Sequence, residues 1–272
     1  MQRVLIIGAS GLVGRALSEE LQGGFDVYGT YNSSLTKLPS DKQFRVDIQD
    51  INKLSEITRS INPDIVISCV GGEFKQQLIL HKELAIELEN NTSRMYYFST
   101  TNVFDGDESK PHVENDIPTA QSDYGTFKIE CETILNNILG DRAIIIRIPA
   151  IWGKDAPRWN SLQENIRNNA VIDVYSNLIN NNLVDIVLAK QLRFIIENEL
   201  NGIFHLGSVD MMTHAQFYEH ILNKLGRDKN LLRYRLYGDK AETCYFRLNS
   251  LRDDIPDYLL STNEDIISYL LG

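Results

Sequence analysis

The stretch RVLIIGASGLVG, Arg3 to Gly14, decides the fold. Its opening run from Arg3 to Gly8 is apolar after the arginine, as expected for a strand that is covered on both faces. Glycines at positions 8, 11 and 14 follow, and Val13, Leu17 and Leu21 then share one helical face. The pattern predicts a strand, a glycine-rich turn and an amphipathic helix, which together begin a βαβ unit.

The rest of the first half repeats this alternation of strands and helices. Further strands are predicted in FDVYGTY (25–31), QFRVDI (43–48), DIVISCV (64–70), MYYFST (95–100) and AIIIRI (143–148), with a helix over residues 51–61. Six strands at this spacing predict an α/β fold with a doubly wound, parallel Rossmann sheet.

After Pro149 the pattern changes to short strands and separate helices. Strands are predicted in VIDVY (171–175), GIFHLG (202–207) and CYFRL (244–248), and helices near residues 184–196 and 215–225. We expect a first domain over residues 1–150 and a smaller C-terminal α/β lobe over residues 151–272. No Gly/Ser linker separates them, so we expect one compact unit in which the chain can cross between the two parts.

Composition excludes several classes of function. The 272 residues are 43% apolar and carry a net charge of −10, which disfavours broad binding to nucleic acid or to an anionic membrane. No apolar run approaches the roughly 20 residues that span a bilayer, and Met1 leads directly into a strand, so we expect a cytoplasmic location. The three cysteines and five histidines lack disulfide or metal-ligand spacing, so no metal is expected.

The glycine run predicts an anion-binding turn at the start of the first helix. Glycines allow the backbone to approach a pyrophosphate, whose charge is met by the free N–H groups of the helix N-terminus. No Walker lysine follows, which disfavours a P-loop. Expected dinucleotide contacts in this run are Gly8, Ser10, Gly11, Leu12, Val13 and Gly14.

The second strand ends without the acidic residue that usually binds the ribose of NAD. Thr30, Asn32 and Ser33 stand there instead, and with Lys37 as a counter-charge they favour NADPH over NADH. Asp47 is either a contact of the adenine amino group or a turn former. Ile48, Val70, Gly71, Tyr124, Lys128 and Pro149 complete the expected cofactor contacts.

Tyr124 and Lys128 are spaced so that they share one face of a predicted helix. A phenol whose pKa is lowered by a nearby ammonium group can exchange a proton at neutral pH, and the same lysine can hold ribose hydroxyls. Thr100, at the end of a strand, supplies a hydroxyl that can share a substrate carbonyl oxygen with the tyrosine. These three residues are the predicted catalytic set.

With these motifs the chain resembles the extended short-chain dehydrogenase/reductases, and within them the dTDP-4-dehydrorhamnose reductase branch. Three motifs of the first half carry the resemblance: the glycine run, Phe98-Ser99-Thr100 leading into Val103-Phe104-Asp105-Gly106, and Tyr124-Gly125-x-x-Lys128. Three later segments match more loosely: IRIPAIWG (146–153), Leu183-Val184-Asp185 and Phe204-His205-Leu206. The resemblance implies hydride transfer from a reduced nicotinamide to a keto group of a nucleotide-linked hexose, with Tyr124 as proton donor, Lys128 as ribose anchor and Thr100 as hydroxyl partner.

The chain departs from that family pattern in two places. Thr101 and Asn102 stand where the family reductase has an Asp and an aromatic residue. The segment between Val70 and Met95 is shorter than the family's corresponding segment, which normally contributes to a four-helix dimer interface. We therefore expect a monomer, or a dimer through another surface.

Four side chains of the second half are open to two interpretations. Trp152 and Trp159 either line a sugar pocket or belong to the core. Arg247 either binds a diphosphate or forms a surface salt bridge. His205 is expected to satisfy a buried hydrogen bond rather than to act as an acid. If the substrate interpretations of Trp152 and Arg247 apply, the expected substrate contacts are these two residues together with Thr101 and Asn102.

The function that this sequence predicts is NADPH-dependent reduction of a nucleotide-activated 4-keto-6-deoxy or dideoxy sugar for a surface polysaccharide. A nucleotide-sugar 4-epimerase is the alternative within the enzymes. A non-catalytic NADP-binding regulatory subunit, as in methionine adenosyltransferase, is the alternative of another class.

Overall fold

The computed structural model describes residues 1–272. Its first half alternates strands and helices: β1 (Arg3–Ile7), α1 (Leu12–Leu21), β2 (Asp26–Tyr31), β3 (Gln43–Arg45), α2 (Ile51–Ile61), β4 (Ile65–Ser68), α3 (Phe74–Glu89), β5 (Arg94–Thr100), α4 (Asp123–Leu139) and β6 (Ala143–Ile148). All six predicted strands and the helix at 51–61 are confirmed, although β3 is three residues long and ends before Val46.

The second half contains shorter elements: β7 (Ile151–Trp152), α5 (Pro157–Arg167), β8 (Ile172–Tyr175), β9 (Leu178–Asn180), β10 (Leu183–Val184), α6 (Asp185–Glu197), β11 (Ile203–His205), β12 (Met212–Thr213), α7 (His214–Lys224), β13 (Leu232–Arg235), β14 (Cys244–Phe246) and α8 (Asn263–Leu271). None of the helices has the length and apolar character that crossing a membrane requires.

Seven parallel strands form the main sheet in the order β11-β6-β5-β4-β1-β2-β3. Without β11, the remaining six strands have the order of a doubly wound Rossmann sheet. The predicted fold class is therefore confirmed. The segment GIFHLG was expected in the smaller lobe, and this prediction is wrong. Its strand β11 pairs with β6, with Ile203 beside Ile145, and extends the main sheet.

The apolar runs of the strands divide between two cores on opposite faces of this sheet. In β1, Val4 and Ile6 pack with α1 and α6, whereas Leu5 and Ile7 pack with α2, α3 and α4. Because both faces are covered, β1 lacks polar alternation, and its residues from Val4 to Ile7 are at most 2% exposed.

The smaller lobe has a third core of its own. Trp152, Phe217, Ile266 and their neighbours from α5, α7, α8, β8 and β13 form it. Between β9 and β12 the chain returns to the main sheet, since α6 packs against α1 and β11 joins β6. The chain therefore crosses between the two parts, and the lobe covers the edge of the sheet where its strands end.

Candidate active site

The first cavity, called here the glycine cavity, lies where β1, β2, β3 and β4 end. Its volume is about 410 Å³. Nine of the predicted cofactor contacts line it: Gly8, Ser10, Gly11, Thr30, Asn32, Asp47, Ile48, Val70 and Gly71. The carboxyl ends of parallel strands are the usual position for a ligand in such a sheet.

The geometry of α1 suits this cavity for an anion. No side chain caps the first turn, so its N–H groups remain available. Gly14 lies outside the cavity lining and has a packing role, because a Cβ there would meet the Gly8 carbonyl oxygen at 2.3 Å. Leu12 also lies outside the lining and packs against the core of the lobe. The residues present therefore fit a dinucleotide pyrophosphate.

The residues expected around a ribose 2′-phosphate have different environments. The Thr30 hydroxyl accepts the Gly8 N–H at 3.1 Å, so it holds the glycine turn. Ser33 does not line the cavity, and Lys37 pairs with Glu19 at 2.5 Å. Arg45, which was not among the predicted residues, also lies outside the lining, but its Nε donates at 3.1 Å to the carbonyl of Asn32, which does line the cavity, and it forms no salt bridge.

Asp47 forms the predicted turn, whereas its contact with an adenine amino group stays a prediction. Its Oδ1 accepts the Gln49 N–H at 3.0 Å, as in an Asx turn. The residue also lines the glycine cavity, just after β3 at the edge of the sheet. The turn therefore holds the carboxylate at the cavity wall.

The second cavity, the central cavity, brings the predicted catalytic residues together. It measures about 190 Å³ and is lined by Thr100, Tyr124 and Lys128 together with the expected contacts Val13, Val70 and Pro149. Sequence reasoning missed four polar side chains of its lining: Ser68, His81, Tyr97 and Ser99. They come from buried strands and from α3, where no local pattern distinguishes them from core residues.

The start of α4 is fixed by the motif that precedes it. Ser122 caps the helix by accepting the Gly125 N–H at 3.0 Å. The Asp105 carboxylate accepts from the Ser122 hydroxyl and from the Gln121 N–H at 2.6 Å. A Cβ at Gly125 would meet the Asn102 carbonyl oxygen at 2.3 Å, so glycine there lets α4 approach the end of β5. These contacts place Tyr124 beside Thr100.

Lys128 is a buried ammonium group with one protein acceptor. Its Nζ donates to the Phe98 carbonyl at 2.8 Å and lies 4.7 Å from the centre of the Tyr97 ring. Burial lowers the pKa of Lys128 to about 8. The side chain is therefore largely charged at neutral pH and has two further N–H groups for a ligand.

The pKa of Tyr124 shifts in the opposite direction to the one that the sequence predicted. Burial raises the pKa of its phenol, and the Thr100 hydroxyl beside it acts in the opposite direction. The expectation that Lys128 lowers this pKa is wrong for the protein without ligand. Tyr124 is 36% exposed and protonated at neutral pH, which is the form that a proton donor needs.

Behind Lys128 the central cavity is polar. The neutral His81 donates from Nδ1 to the Gln77 carbonyl at 2.6 Å and accepts the Ser68 hydroxyl at Nε2 at 2.8 Å. Burial lowers the pKa of His81 to about 3. The hydroxyls of Tyr97 and Ser99 are buried without partners. Because His81 is neutral, Lys128 is the only cation of the cavity lining.

The third cavity, the lobe cavity, continues from the central cavity towards the smaller lobe. It measures about 290 Å³, and Thr100, Thr101, Asn102 and Pro149 form its sheet side. The lobe side was missed by sequence reasoning: Arg158, Tyr175, Asn180, His214, Tyr237 and Phe246. Arg158 forms no hydrogen bond or salt bridge with the protein, and the rings of Tyr175 and Tyr237 meet edge to face with centroids 5.5 Å apart.

Three expected substrate contacts are engaged with the protein. Asn102 Oδ1 accepts the Thr100 hydroxyl at 3.0 Å, and the Thr101 hydroxyl donates to the Ile148 carbonyl at 3.4 Å. Trp152 does not line the lobe cavity; it is buried in the lobe core and its Nε1 donates to Asn182 at 2.8 Å. For Trp152 and Trp159 the core interpretation therefore holds.

Arg247 forms no surface salt bridge, so that interpretation of it is wrong, and it does not line the lobe cavity. It is buried, and its guanidinium donates to the carbonyls of Val209 at 2.9 Å and Asp210 at 2.6 Å. Its neighbour Phe246 faces the lobe cavity, while Arg247 faces a separate one. His205 is buried and hydrogen bonded, as expected.

The three cavities share lining residues and thus form one cleft. Cys69 and Val70 belong to both the glycine and the central cavity, and Thr100 and Pro149 to both the central and the lobe cavity. The cleft therefore runs along the ends of the strands, with Tyr124 and Lys128 near its middle.

Comparison with known proteins identifies the family of this chain. The family model described as "RmlD substrate binding domain" matches residues 74–240, more than half of the chain. Methionine adenosyltransferase 2 subunit beta of Danio rerio is 27% identical over 78% of the chain and 70% of that protein. The bovine protein of that name is 30% identical over 56% of the chain, and the match spans about half (48%) of its length.

Two further proteins have names of reductases. A low-salt glycan biosynthesis reductase of Haloferax volcanii is 22% identical over 86% of the chain and 84% of that protein. The crystal structure of a dTDP-4-dehydrorhamnose reductase from Bacillus anthracis in complex with NADP has a TM-score of 0.79 at 20% identity, and it covers 99% of this chain and 98% of that one. At this identity the structural likeness shows a shared fold.

Proposed function

Because the chain belongs to the RmlD substrate binding domain family, we propose that it is an NADPH-dependent oxidoreductase that reduces a nucleotide-activated 4-keto-6-deoxy or dideoxy sugar for a surface polysaccharide. Residues 1–150 bind the cofactor and the lobe within residues 151–272 binds the substrate. The expectation of a cytoplasmic monomer, or of a dimer through a surface other than the four-helix interface, stays a prediction.

The observation that carries this proposal is the continuous cleft. The glycine cavity offers an uncapped helix N-terminus, the central cavity holds Thr100, Tyr124 and Lys128 together, and the lobe cavity opens beside Thr100. A dinucleotide in the glycine cavity reaches towards Lys128, and a sugar nucleotide in the lobe cavity reaches the central cavity from the opposite end of the cleft. The reacting groups of both ligands then meet at Tyr124.

In the proposed reaction, bound NADPH supplies a hydride to the keto carbon. Tyr124 donates its phenolic proton to the carbonyl oxygen as negative charge develops there. Lys128 holds the ribose hydroxyls with its two remaining N–H groups and stabilises the resulting phenolate. The Thr100 hydroxyl turns from Asn102 to the carbonyl oxygen and orients it towards Tyr124.

The lobe cavity supports a nucleoside diphosphate as the carrier of the sugar. Arg158 has no carboxylate partner, so its guanidinium is available for two diphosphate oxygens. The Tyr175 and Tyr237 rings offer apolar faces to a base. Buried Asn180 Oδ1 lacks a partner and accepts a donor group of the ligand.

Replacing Arg158 therefore weakens substrate binding more than it slows the reaction. For Arg158→Ala we expect KM for the sugar nucleotide to rise about tenfold or more, since a charge-assisted hydrogen bond contributes roughly 1.5–3 kcal/mol. The value of kcat changes little, because Arg158 lies away from Tyr124. Steady-state kinetics check this, with Arg227→Ala as the control. If Arg158→Ala and Arg227→Ala have the same KM for the sugar nucleotide, Arg158 does not belong to the substrate site.

The preference for NADPH depends on Arg45 rather than on Lys37. Arg45 lies against Asn32 without a carboxylate partner, whereas Lys37 is paired with Glu19. We expect Arg45→Ala to reduce the ratio of kcat/KM for NADPH to that for NADH by about tenfold, and Lys37→Ala to leave it nearly unchanged. A wild-type protein that prefers NADH contradicts the assignment.

The site is not suited to dehydration of a nucleotide hexose. Elimination needs an acid and a base beside the catalytic threonine, and Thr101 and Asn102 do not titrate near neutral pH. Both are also hydrogen bonded, to Ile148 and Thr100. Incubation with nucleoside diphosphate hexoses should give no 4-keto-6-deoxy product by NMR, and its formation at a catalytic rate would place the chain on the dehydratase branch.

Two alternatives are separated by the fate of the cofactor. An epimerase retains its nicotinamide through purification and turnover, whereas the proposed reductase releases NADP⁺ and consumes one NADPH per product. A regulatory subunit binds NADPH without consuming it. The joint presence of Thr100, Tyr124 and Lys128 in the central cavity favours the reductase over the regulator.

A further inference from the structure

A fourth cavity, called the edge cavity, lies outside the proposed active site. It measures about 400 Å³ and is lined by Gln191 of α6, residues 205–209 at and after β11, the segment 247–252, and Val113, Ile255 and Leu260. It shares no lining residue with the three cavities of the cleft. The Asn181 side chain, bonded to Ser208 and Leu248, separates it from the lobe cavity. Its volume is in the range of small-molecule sites.

Arg247 brings a positive charge to this cavity. It is 5% exposed and forms no salt bridge. The nearby Asp210 carboxylate acts on it electrostatically but is itself hydrogen bonded to the backbone and side chain of Asn263. Three of the five N–H groups of its guanidinium donate to Val209, Asp210 and Asn249, which leaves two, one on each terminal nitrogen. These two N–H groups have no acceptor in the protein, so they are available to the oxygens of a ligand carboxylate.

The other charges around the edge cavity favour a single negative charge on a ligand. Arg252 is neutralised by Asp254. The Glu114 carboxylate lies directly behind the lining and accepts the Ser250 hydroxyl at 2.5 Å and the Leu251 N–H at 2.9 Å. His205 is neutral at pH 7 because burial lowers its pKa to about 4. A dianion would therefore add negative charge near Glu114 and Asp210, with Arg247 as the only cation of the lining that forms no salt bridge.

Two more features describe the rest of the ligand. Gln191 is 1% exposed, and its Oε1 has no partner although its Nε2 donates to the Leu259 carbonyl at 2.9 Å. This orphaned acceptor requires a hydroxyl or amino donor. The rim is aliphatic and exposed at Val209, Leu251 and Leu260, which suits an apolar body.

We propose that the edge cavity binds a small monocarboxylate that carries a hydroxyl or amino group and an aliphatic body, of the class of branched-chain hydroxy and amino acids. The carboxylate binds Arg247, the donor group binds Gln191, and the aliphatic part packs against Leu251 and Leu260. None of these residues belongs to the proposed catalytic or cofactor-binding set.

Isothermal titration calorimetry of the full chain with four probes tests the chemistry of this site. We expect 2-hydroxy-4-methylpentanoate or leucine to bind with Kd of about 1 mM or tighter. Removal of the donor group, in 4-methylpentanoate, should weaken binding about tenfold, and removal of the carboxylate, in leucinamide, should abolish it. Absence of binding by both acids, or equal binding of leucinamide and leucine, overturns the proposal.

A pair of surface variants locates the bound probe. Leu251→Glu places a negative charge at the rim and should weaken binding at least about tenfold, whereas Ile117→Glu, at a residue that is 83% exposed and lies outside the cavity, should bind as the wild type does. Both changes are at exposed positions, so folding is preserved. Unchanged binding by Leu251→Glu, or tighter binding of inorganic phosphate than of either acid, contradicts the assignment.

Discussion

Tyr124→Phe should lower kcat for sugar-nucleotide reduction by about a hundredfold or more, because the phenol is the proton donor in the proposed reaction. The dissociation constant for NADPH should change little, since Lys128 rather than Tyr124 anchors the ribose. Steady-state kinetics and fluorescence titration of NADPH measure the two effects separately.

This substitution leaves the packing around the ring intact. The Tyr124 ring lies 5.5 Å from Phe74 and 6.4 Å from Phe127 between centroids, and its hydroxyl makes no hydrogen bond that holds the fold. Thermal unfolding should therefore be unchanged. Tyr258→Phe, at a tyrosine that is 79% exposed, is the matched control and should keep full activity. Near-native turnover of Tyr124→Phe would remove it from the catalytic role.

Lys128→Met should impair both cofactor binding and turnover. The ammonium group is proposed to hold the ribose and to stabilise the phenolate, so its loss should weaken NADPH binding about tenfold and lower kcat about a hundredfold. Methionine has a similar length and suits the buried position, so folding should survive. If only the KM for the sugar nucleotide changes, the role of Lys128 has been misassigned.

The low pKa of Lys128 gives the wild-type protein a distinctive pH dependence. Burial brings this pKa from 10.5 to about 8, so the charged form is lost as pH rises through that value. NADPH affinity of the free protein should be full at pH 7 and fall with a midpoint near pH 8. The same titration of Lys128→Met should lack this step. A step retained in the variant would belong to another group.

Local patterns predicted the first half of the fold well and the second half less well. Val4 to Ile7 and Ile144 to Ile146 are buried on both faces, so their apolar runs identify parallel strands directly. The three residues of β11 carry the same local pattern as a short lobe strand. Their membership of the main sheet depends on pairing with β6, about 58 residues earlier in the chain, which no local signal reports.

The site shows the same difference between local and long-range information. Tyr124 and Lys128 are one helical turn apart and follow a recognisable motif, so the sequence identified them. Arg158, Tyr175 and Tyr237 reach one cavity from three separate segments, and only tertiary packing joins them. Arg247 was not recognised as a buried residue because the carbonyls of Val209 and Asp210 that bind it are 38 and 37 residues away.

The central claim is that Tyr124, Lys128 and Thr100 support NADPH-dependent reduction of a nucleotide-linked keto sugar. The most direct test mixes the purified protein with NADPH and a panel of nucleoside diphosphate 4-keto-6-deoxyhexoses, beginning with dTDP-4-dehydrorhamnose. NADPH absorbance and product formation are followed together, with Tyr124→Phe in parallel. The account predicts one NADPH consumed per alcohol formed by the wild-type protein and almost none by the variant. Binding of NADPH without its oxidation by any member of the panel, or equal oxidation by Tyr124→Phe, would contradict it.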